Sequence, residues 1–121
     1  MLKEVYKEFL NKGILEEKKL KELFKIIKLY SGIGYLYPGS IMINLKVSAY
    51  KAYEILSILE MNDIVSKGYE EYCSKCDNYD TKIYNEFSNI PDKFYCGNCK
   101  EKLDCIEDTV LLFRINNNIE L

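Results

Sequence analysis

The chain has 121 residues, of which 48% are hydrophobic and 13% aromatic, and its formal net charge is −2. This composition suits a packed core and argues against intrinsic disorder, and no apolar run approaches the roughly 20 residues that a transmembrane helix needs. The length fits one ordinary domain, or two very small ones of which the second is stabilised by a metal. The segment Met1–Phe9 is charged throughout and is no signal peptide, so we expect a soluble, cytoplasmic protein.

The charge is unevenly distributed between the two halves of the sequence. Residues 1–68 carry eleven Lys against eight acidic residues, a net +3, whereas residues 69–121 carry six basic against eleven acidic residues, a net −5. Nucleic-acid backbones bind cationic surfaces. The second half is therefore a poor candidate for binding phosphates.

Two amphipathic helices are predicted at the N-terminus. Apolar residues within Leu2–Phe9 recur at the i, i+3, i+4 and i+7 positions of a helix, and Gly13 is suited to ending it. A second helix, from about Leu15 to Tyr30, repeats the pattern. Its lysines alternate with glutamates, which favours a solvated face over a nucleic-acid patch.

The helical pattern is then interrupted and resumes further on. Ser31–Gly39 is interpreted as a connector, because its glycines have neither the dinucleotide-binding nor the P-loop spacing. A short helix is predicted over Ser40–Asn44, and a turn through Leu45–Val47 leads to a longer helix that begins after the N-cap Ser48 and runs to about Met61. Ile64 and Val65 follow as the start of a strand.

The longer helix has one apolar and one outward face. The apolar stripe consists of Ala52, Ile55, Leu56 and Leu59. The outward face comprises Tyr50, Lys51, Tyr53, Glu54 and Ser57, and also Ile58. Tyrosines with sparse charge resemble a protein interface more than a surface that reads DNA, and a core role for the tyrosines stays open. In a DNA-binding protein, Lys46, Lys51 and Lys67 would contact phosphates, and Tyr50 a base or sugar.

The order of these elements is that of a winged helix-turn-helix. Residues 45–65 resemble the DNA-reading gamma domain of FtsK translocases. The framework matches are Ala52, Ile55, Leu59, Glu60, Ile64 and Val65. Where that family has an Asn and two Arg that face DNA, this chain has Tyr50, Lys51 and Glu54, so the resemblance implies the fold more than the activity.

Four cysteines give the strongest functional signal. Cys73 and Cys76 form one Cys-x-x-Cys pair and Cys96 and Cys99 another, which is the spacing of a four-cysteine zinc site. The chain has no histidine, so the ligand shell would be all sulfur and closed, typical of structural Zn²⁺. Two disulfides are the alternative. Cys105 is left over, as a small buried apolar side chain or, alternatively, a substitute ligand or reactive thiol.

The second half is predicted to be a small zinc ribbon of short strands. The strands are expected at Tyr69–Tyr72, Lys82–Phe87, Phe94–Cys96 and Thr109–Ile115, the last of them buried on both sides. The first two are separated by a turn at 77–80, Gly97 is expected to take a positive φ in the second knuckle, and the chain from Asn116 onward is expected to fray. A winged helix followed by a zinc ribbon is also the module order of the archaeal transcription factor E alpha subunit.

These observations predict an α+β protein with a winged-helix-like domain at 1–68 and a zinc-ribbon domain at 69–121. We expect a non-enzymatic adaptor or regulatory subunit that docks a larger protein, by analogy in a bacterial defence-type complex. The alternative is a DNA-binding transcriptional regulator that uses the helix at 48–61 on double-stranded DNA. An enzyme is the least favoured class, since no catalytic residue stands out, and no membrane partner is expected.

Overall fold

A computed structural model of the chain describes residues 2–31 and 34–116, and for residues 78–82 it describes the backbone. The helices in this part of the chain are α1 (Leu2–Lys12), α2 (Glu17–Tyr30), α3 (Pro38–Leu45) and α4 (Ala49–Met61). The strands are β1 (Tyr35–Leu36), β2 (Val65–Cys73), β3 (Asn78–Tyr84), β4 (Lys93–Tyr95), β5 (Lys102–Asp104) and β6 (Thr109–Ile115). The predicted α+β class is confirmed.

The chain forms two compact units. The first contains the residues up to Ser66 together with the described residues from Phe113 onward, and the second is Lys67–Leu112. The chain therefore passes from one unit to the other twice, after Ser66 and after Leu112. The sequence-based division into 1–68 and 69–121 has one such boundary. As a division into functional domains, it remains a prediction. Strands β1, β6, β2 and β3 form one sheet in that order, and β4 and β5 form a second.

In the first unit, α1 and α2 are joined through aromatic side chains. Phe9 is fully buried, and the ring of Phe24 meets the rings of Tyr6 and Phe9 edge-on at centroid distances of 5.3 and 6.3 Å. Such edge-to-face pairs add to the stabilisation from buried apolar area. Gly13 ends α1 at a φ of 62°, as its position predicts.

The segment predicted as a plain connector contains β1. Gly34 permits the chain to fold back there, because a Cβ at this position would lie 2.6 Å from the Cβ of Tyr30. Strand β1 then pairs antiparallel with β6, with Leu36 opposite Phe113. A two-residue strand has no periodicity of its own, and its partner lies far along the sequence.

The α3–α4 segment closely follows the prediction. Helix α3 begins at Pro38, two residues before the predicted start, because proline suits the first turn of a helix. Lys46 ends α3 in the left-handed region, at φ 53° and ψ 54°. Ser48 caps α4 as predicted, since its Oγ accepts a hydrogen bond of 3.1 Å from the backbone N–H of Lys51.

The apolar stripe of α4 packs into the core of the first unit. All four predicted residues of the stripe are fully buried: Ala52, Ile55, Leu56 and Leu59. The chain continues through the buried Ile64, whose carbonyl accepts a 2.9 Å hydrogen bond from the backbone N–H of Asn116. The hydroxyl of Ser66 also donates to the side chain of Asn116, at 2.8 Å. The start of β2 and the end of β6 are therefore joined within this unit.

The second unit is built from two antiparallel hairpins. Strand β2 pairs with β3, with a register irregularity between Glu70 and Tyr72, and β4 pairs with β5 so that Phe94 faces Leu103. Strand β3 occupies most of the predicted turn at 77–80. The buried cluster of this unit consists of Cys73, Tyr84, Ile90, Phe94, Cys96 and Leu103.

Strand β6 has its predicted bounds but not its predicted burial. Leu112 and Phe113 are buried, whereas residues 109–111 are half-buried, so the expectation of a strand covered on both sides throughout is wrong. The predicted fraying from Asn116 falls largely on 117–121, outside the described residues. None of the helices described is both long enough and apolar enough to cross a membrane.

Candidate metal centre and the outward face of α4

The two cysteine pairs lie at the tips of the two hairpins. Cys73 ends β2 and Cys76 lies in the turn before β3, while Cys96 follows β4 and Cys99 lies in the turn before β5. At each tip, the residue after the second cysteine takes a left-handed conformation, with φ 54° at Asp77 and φ 65° at Lys100. Gly13 is the described glycine with positive φ, so the expectation of positive φ at Gly97 is wrong. The left-handed residue of the second knuckle is instead Lys100, three residues after Gly97.

The four sulfur atoms form one cluster. The Sγ atoms of Cys73 and Cys99 lie 3.6 Å apart, as do those of Cys76 and Cys96, and all four lie within 4.8 Å of one another. A tetrahedral site with Zn–S bonds of about 2.3 Å has sulfur–sulfur distances of about 3.8 Å. Since a disulfide is about 2.05 Å long, these are free thiols whose spacing fits a metal ion.

Backbone donors surround one sulfur of the cluster. The N–H groups of Asn98 and Cys99 point at Cys96 Sγ with N···S distances of 3.4 and 3.5 Å. The N–H of Cys99, then that of Asn98, lower the pKa of Cys96 to about 6. These donors favour the thiolate form, which is the form that ligates metal.

Cys99 behaves in the opposite way. The backbone N–H of Glu101 lowers its pKa, but burial and the neighbouring thiols of Cys73, Cys76 and Cys96 together raise it to about 12. Crowded thiols resist a second negative charge unless a cation compensates it. A metal dication at the centre of the cluster would supply that compensation.

An ion pair links the two tips. Lys75, inside the first cysteine pair, places its Nζ 2.5 Å from Oε1 of Glu101, two residues beyond the second pair. The pKa of Lys75 is raised, chiefly by Glu101 and to a smaller extent by Cys73 and Cys99. The backbone carbonyl of Glu101 also accepts a 2.9 Å hydrogen bond from the N–H of Cys96. The spacing of the cysteines gave no indication of this contact.

Cys105 is not a member of the cluster among the described residues. Its side chain is half-buried against the core of the second unit, and its backbone N–H donates a 3.2 Å hydrogen bond to the carbonyl of Asp92. This is a packing position, in line with the expected role of a small apolar side chain.

The outward face predicted for α4 is exposed at Tyr50, Tyr53 and Ser57 and half-buried at Lys51 and Glu54. Tyr50 is 80% exposed and Tyr53 is 46% exposed, so these tyrosines are not core residues, and Ser57 is exposed beside them. Lys51 and Glu54 form an ion pair of 2.8 Å along the helix. Lys51, one of the three lysines expected to contact phosphates in a DNA-binding protein, therefore already has a carboxylate partner.

A groove of about 560 Å³ runs along this face within the first unit. It is lined by Lys12, Ile14, Tyr50, Tyr53, Glu54, Ser57 and Ile58. The expectation that Ile58 faces outward is wrong, because its side chain is buried at 8% exposure, although it contributes to the lining of the groove. Lys12 and Ile14, at the end of α1 and just beyond it, were not predicted as site residues, because their approach to α4 is a tertiary contact.

The remaining predicted contact residues are separated. Lys46 is exposed in the turn between α3 and α4 but does not line the groove. Lys67 is exposed on β2 and belongs to the second unit. The predicted set is thus divided, with Tyr50, Tyr53, Glu54 and Ser57 brought together around one groove.

Comparison with known proteins gives no match to this chain among protein-family models, curated proteins or solved structures. The resemblance of residues 45–65 to the gamma domain of FtsK translocases stays a prediction.

Proposed function

We propose that this chain is a non-enzymatic, zinc-stabilised winged-helix adaptor subunit that docks a protein partner on the outward face of α4. The order of the elements supports the winged helix. Helices α3 and α4 are joined by a three-residue turn in the manner of a helix-turn-helix, and the short β1 lies beside β6, which in turn lies beside β2. A winged helix has such a three-stranded sheet, in which β2 and β6 form the wing.

On this proposal, Lys67–Leu112 contains a zinc ribbon built around the two cysteine pairs, and it shares the strands β2 and β6 with the wing. Zinc is supported by an all-sulfur donor set at tetrahedral spacing. Cys73, Cys76, Cys96 and Cys99 would hold the ion, which would supply structural cross-linking of the two hairpins. The four thiols are assigned to metal and the sequence has no histidine, so catalysis is the least favoured of the proposed roles.

The residues of the groove on α4 give the main support for the proposed docking of a protein partner. Tyr50 and Tyr53 offer aromatic area to solvent, and aromatic side chains are enriched at protein interfaces. The lysine that lines the groove, Lys12, is paired with Glu8 at 3.0 Å, and Lys51, elsewhere on α4, is paired with the groove residue Glu54. A surface with compensated charges suits an apolar protein segment better than a phosphate backbone.

DNA binding is the second candidate, and one observation favours it. Lys46 is exposed directly before α4, at the end of the helix that a helix-turn-helix directs to DNA. Lys46 takes a left-handed backbone conformation although it is not glycine. In this alternative, Lys46 would contact a phosphate while Tyr50 reaches a base or sugar.

Site-specific cross-linking tests the adaptor proposal. A photo-reactive phenylalanine analogue replaces Tyr53 in the groove, and in a matched protein replaces the exposed Tyr95 of the second unit. In cells of the native host, we expect the Tyr53 position to yield one defined protein cross-link that Ser57→Arg abolishes, because the arginine fills the groove. Cross-links to DNA from Tyr53, or equal cross-linking from both positions, contradict it.

The DNA alternative has its own direct test. Binding of the zinc-loaded protein to random duplex DNA is measured between about 50 and 200 mM salt, where phosphate contacts weaken steeply. We expect no saturable binding. Micromolar binding that is lost in Lys46→Glu and in Lys51→Glu would favour the regulator instead.

A further inference from the structure

The ion pair between Lys75 and Glu101 joins the two halves of the sulfur cluster. Lys75 lies between Cys73 and Cys76, on the first hairpin, and Glu101 lies just beyond Cys99, on the second. Their charged atoms are 2.5 Å apart. The contact therefore spans the same gap that a metal ion would close.

Both members of the pair are fixed close to sulfur. The backbone carbonyl of Glu101 accepts the N–H of Cys96 at 2.9 Å, so the residue that carries the carboxylate is tied to the second knuckle. Lys75 is within the turn of the first knuckle. Both side chains are exposed, Lys75 at 68% and Glu101 at 42%, so the ion pair is expected to have a modest effect on stability.

We propose that Lys75 and Glu101 act as an electrostatic clasp that holds the two cysteine pairs together around the metal and so slows metal loss. The inference rests on the zinc centre of the proposed function. Because folding of this unit and metal binding are coupled, an ion pair that stabilises the folded, metal-bound unit contributes to metal affinity.

A simpler role for Lys75 makes a different prediction. Four thiolates around Zn²⁺ carry a net charge of −2, which a nearby cation stabilises and a nearby anion destabilises. If only local charge mattered, Glu101→Gln would tighten metal binding, because it removes a negative charge. If the clasp matters, the same substitution weakens binding, because it frees Lys75 from the second hairpin. The sign of this one change distinguishes the two roles.

The test measures the zinc dissociation constant and the rate of zinc loss to a chromophoric chelator for the full chain and its variants. Both Lys75→Met and Glu101→Gln are expected to weaken zinc binding by about threefold, as suits an exposed ion pair. The charge-swapped double variant, Lys75→Glu with Glu101→Lys, is expected to restore it. Lys93→Met, which removes an exposed lysine of the same unit outside both knuckles, serves as the control and leaves the constant unchanged.

The salt dependence of zinc affinity gives a second readout, because a role of Glu101 that did not depend on charge would be insensitive to salt. The difference between the natural chain and Glu101→Gln should shrink as salt screens the pair. Unchanged or tighter zinc binding in Glu101→Gln, or failure of the swap to restore affinity, overturns the clasp while leaving the zinc centre in place. Absence of zinc binding by the natural chain overturns both.

Discussion

Cys73 and Cys99 bring their sulfur atoms to 3.6 Å although they belong to different hairpins. The two close sulfur–sulfur pairs both join one hairpin tip to the other. A metal ion bound by these four sulfur atoms would therefore cross-link the two hairpins of the second unit. The unit has a small buried cluster, and two of its six members, Cys73 and Cys96, belong to the candidate metal site, so the stability of the unit should depend on the metal.

Removal of the metal is expected to unfold the second unit selectively. Chelation, or Cys76→Ser, should abolish the strand signal while the helical signal of far-UV circular dichroism is largely kept, because the metal-binding free energy is folding free energy in small metal modules. Cys105→Ser, which changes a cysteine outside the cluster, is the control and should behave like the natural chain. Native strand content in the metal-free protein would count against this dependence.

Zinc affinity should fall steeply as pH falls, without a break near pH 6. Every ligand must lose its proton to bind metal, and the N–H donors that lower the pKa of Cys96 to about 6 belong to the folded second knuckle. Because the metal-free unit is expected to unfold, the thiols compete with protons at the pKa of an unfolded cysteine, about 8.5. Competition titrations measure the slope of log affinity against pH, and a break near pH 6 would show that the second knuckle stays folded without metal.

Loss of the N-cap of α4 should destabilise the first unit. Ser48→Ala removes the acceptor of the Lys51 N–H, and such a change typically costs about 1 kcal/mol of the free energy of unfolding. Chemical unfolding of the zinc-loaded protein, followed by its helical signal, measures it. Ser57→Ala, an exposed serine within the same helix, is the matched control and should change stability by less than about 0.5 kcal/mol. Equal effects of the two substitutions would show that the cap contributes nothing.

Lys46 should be replaceable by glycine with a gain in stability. A left-handed conformation costs an ordinary residue roughly 1–2 kcal/mol, and the added freedom of glycine in the unfolded chain offsets part of the gain. We expect Lys46→Gly to be about 0.5–1 kcal/mol more stable than Lys46→Ala, which keeps the backbone cost. Thermal unfolding compares the pair. A glycine variant that is less stable than the alanine variant would be the contrary result.

The helices and the four candidate metal-ligating cysteines could be predicted from the sequence because their sequence patterns are local. The stripe of α4 repeats at helical spacing, its cap Ser48 lies at the expected place, and each Cys-x-x-Cys pair is contained within four residues. The pairing of β1 with β6 depends on contacts between distant parts of the chain, and its two residues have no period. The return of the chain to the first unit at Phe113 is equally a property of topology.

The functional face was predictable only in part. Its tyrosines follow from the helix pattern, since residues opposite a buried stripe face outward. The groove also needs Lys12 and Ile14, whose proximity to α4 is set by how α1 packs. The Lys75–Glu101 pair is similar, because it links two turns that become neighbours through the fold of the second unit.

Metal content and coordination of the purified chain decide whether the four clustered cysteines form a zinc centre. We expect one zinc ion per chain and, after exchange for Co²⁺, the absorption of a tetrahedral site with four thiolate ligands. Cys73→Ser, Cys76→Ser, Cys96→Ser and Cys99→Ser should each remove a thiolate from that spectrum, whereas Cys105→Ser should leave it unchanged. A protein without bound metal, or a cobalt spectrum that changes with Cys105 and not with the four clustered cysteines, would contradict this expectation.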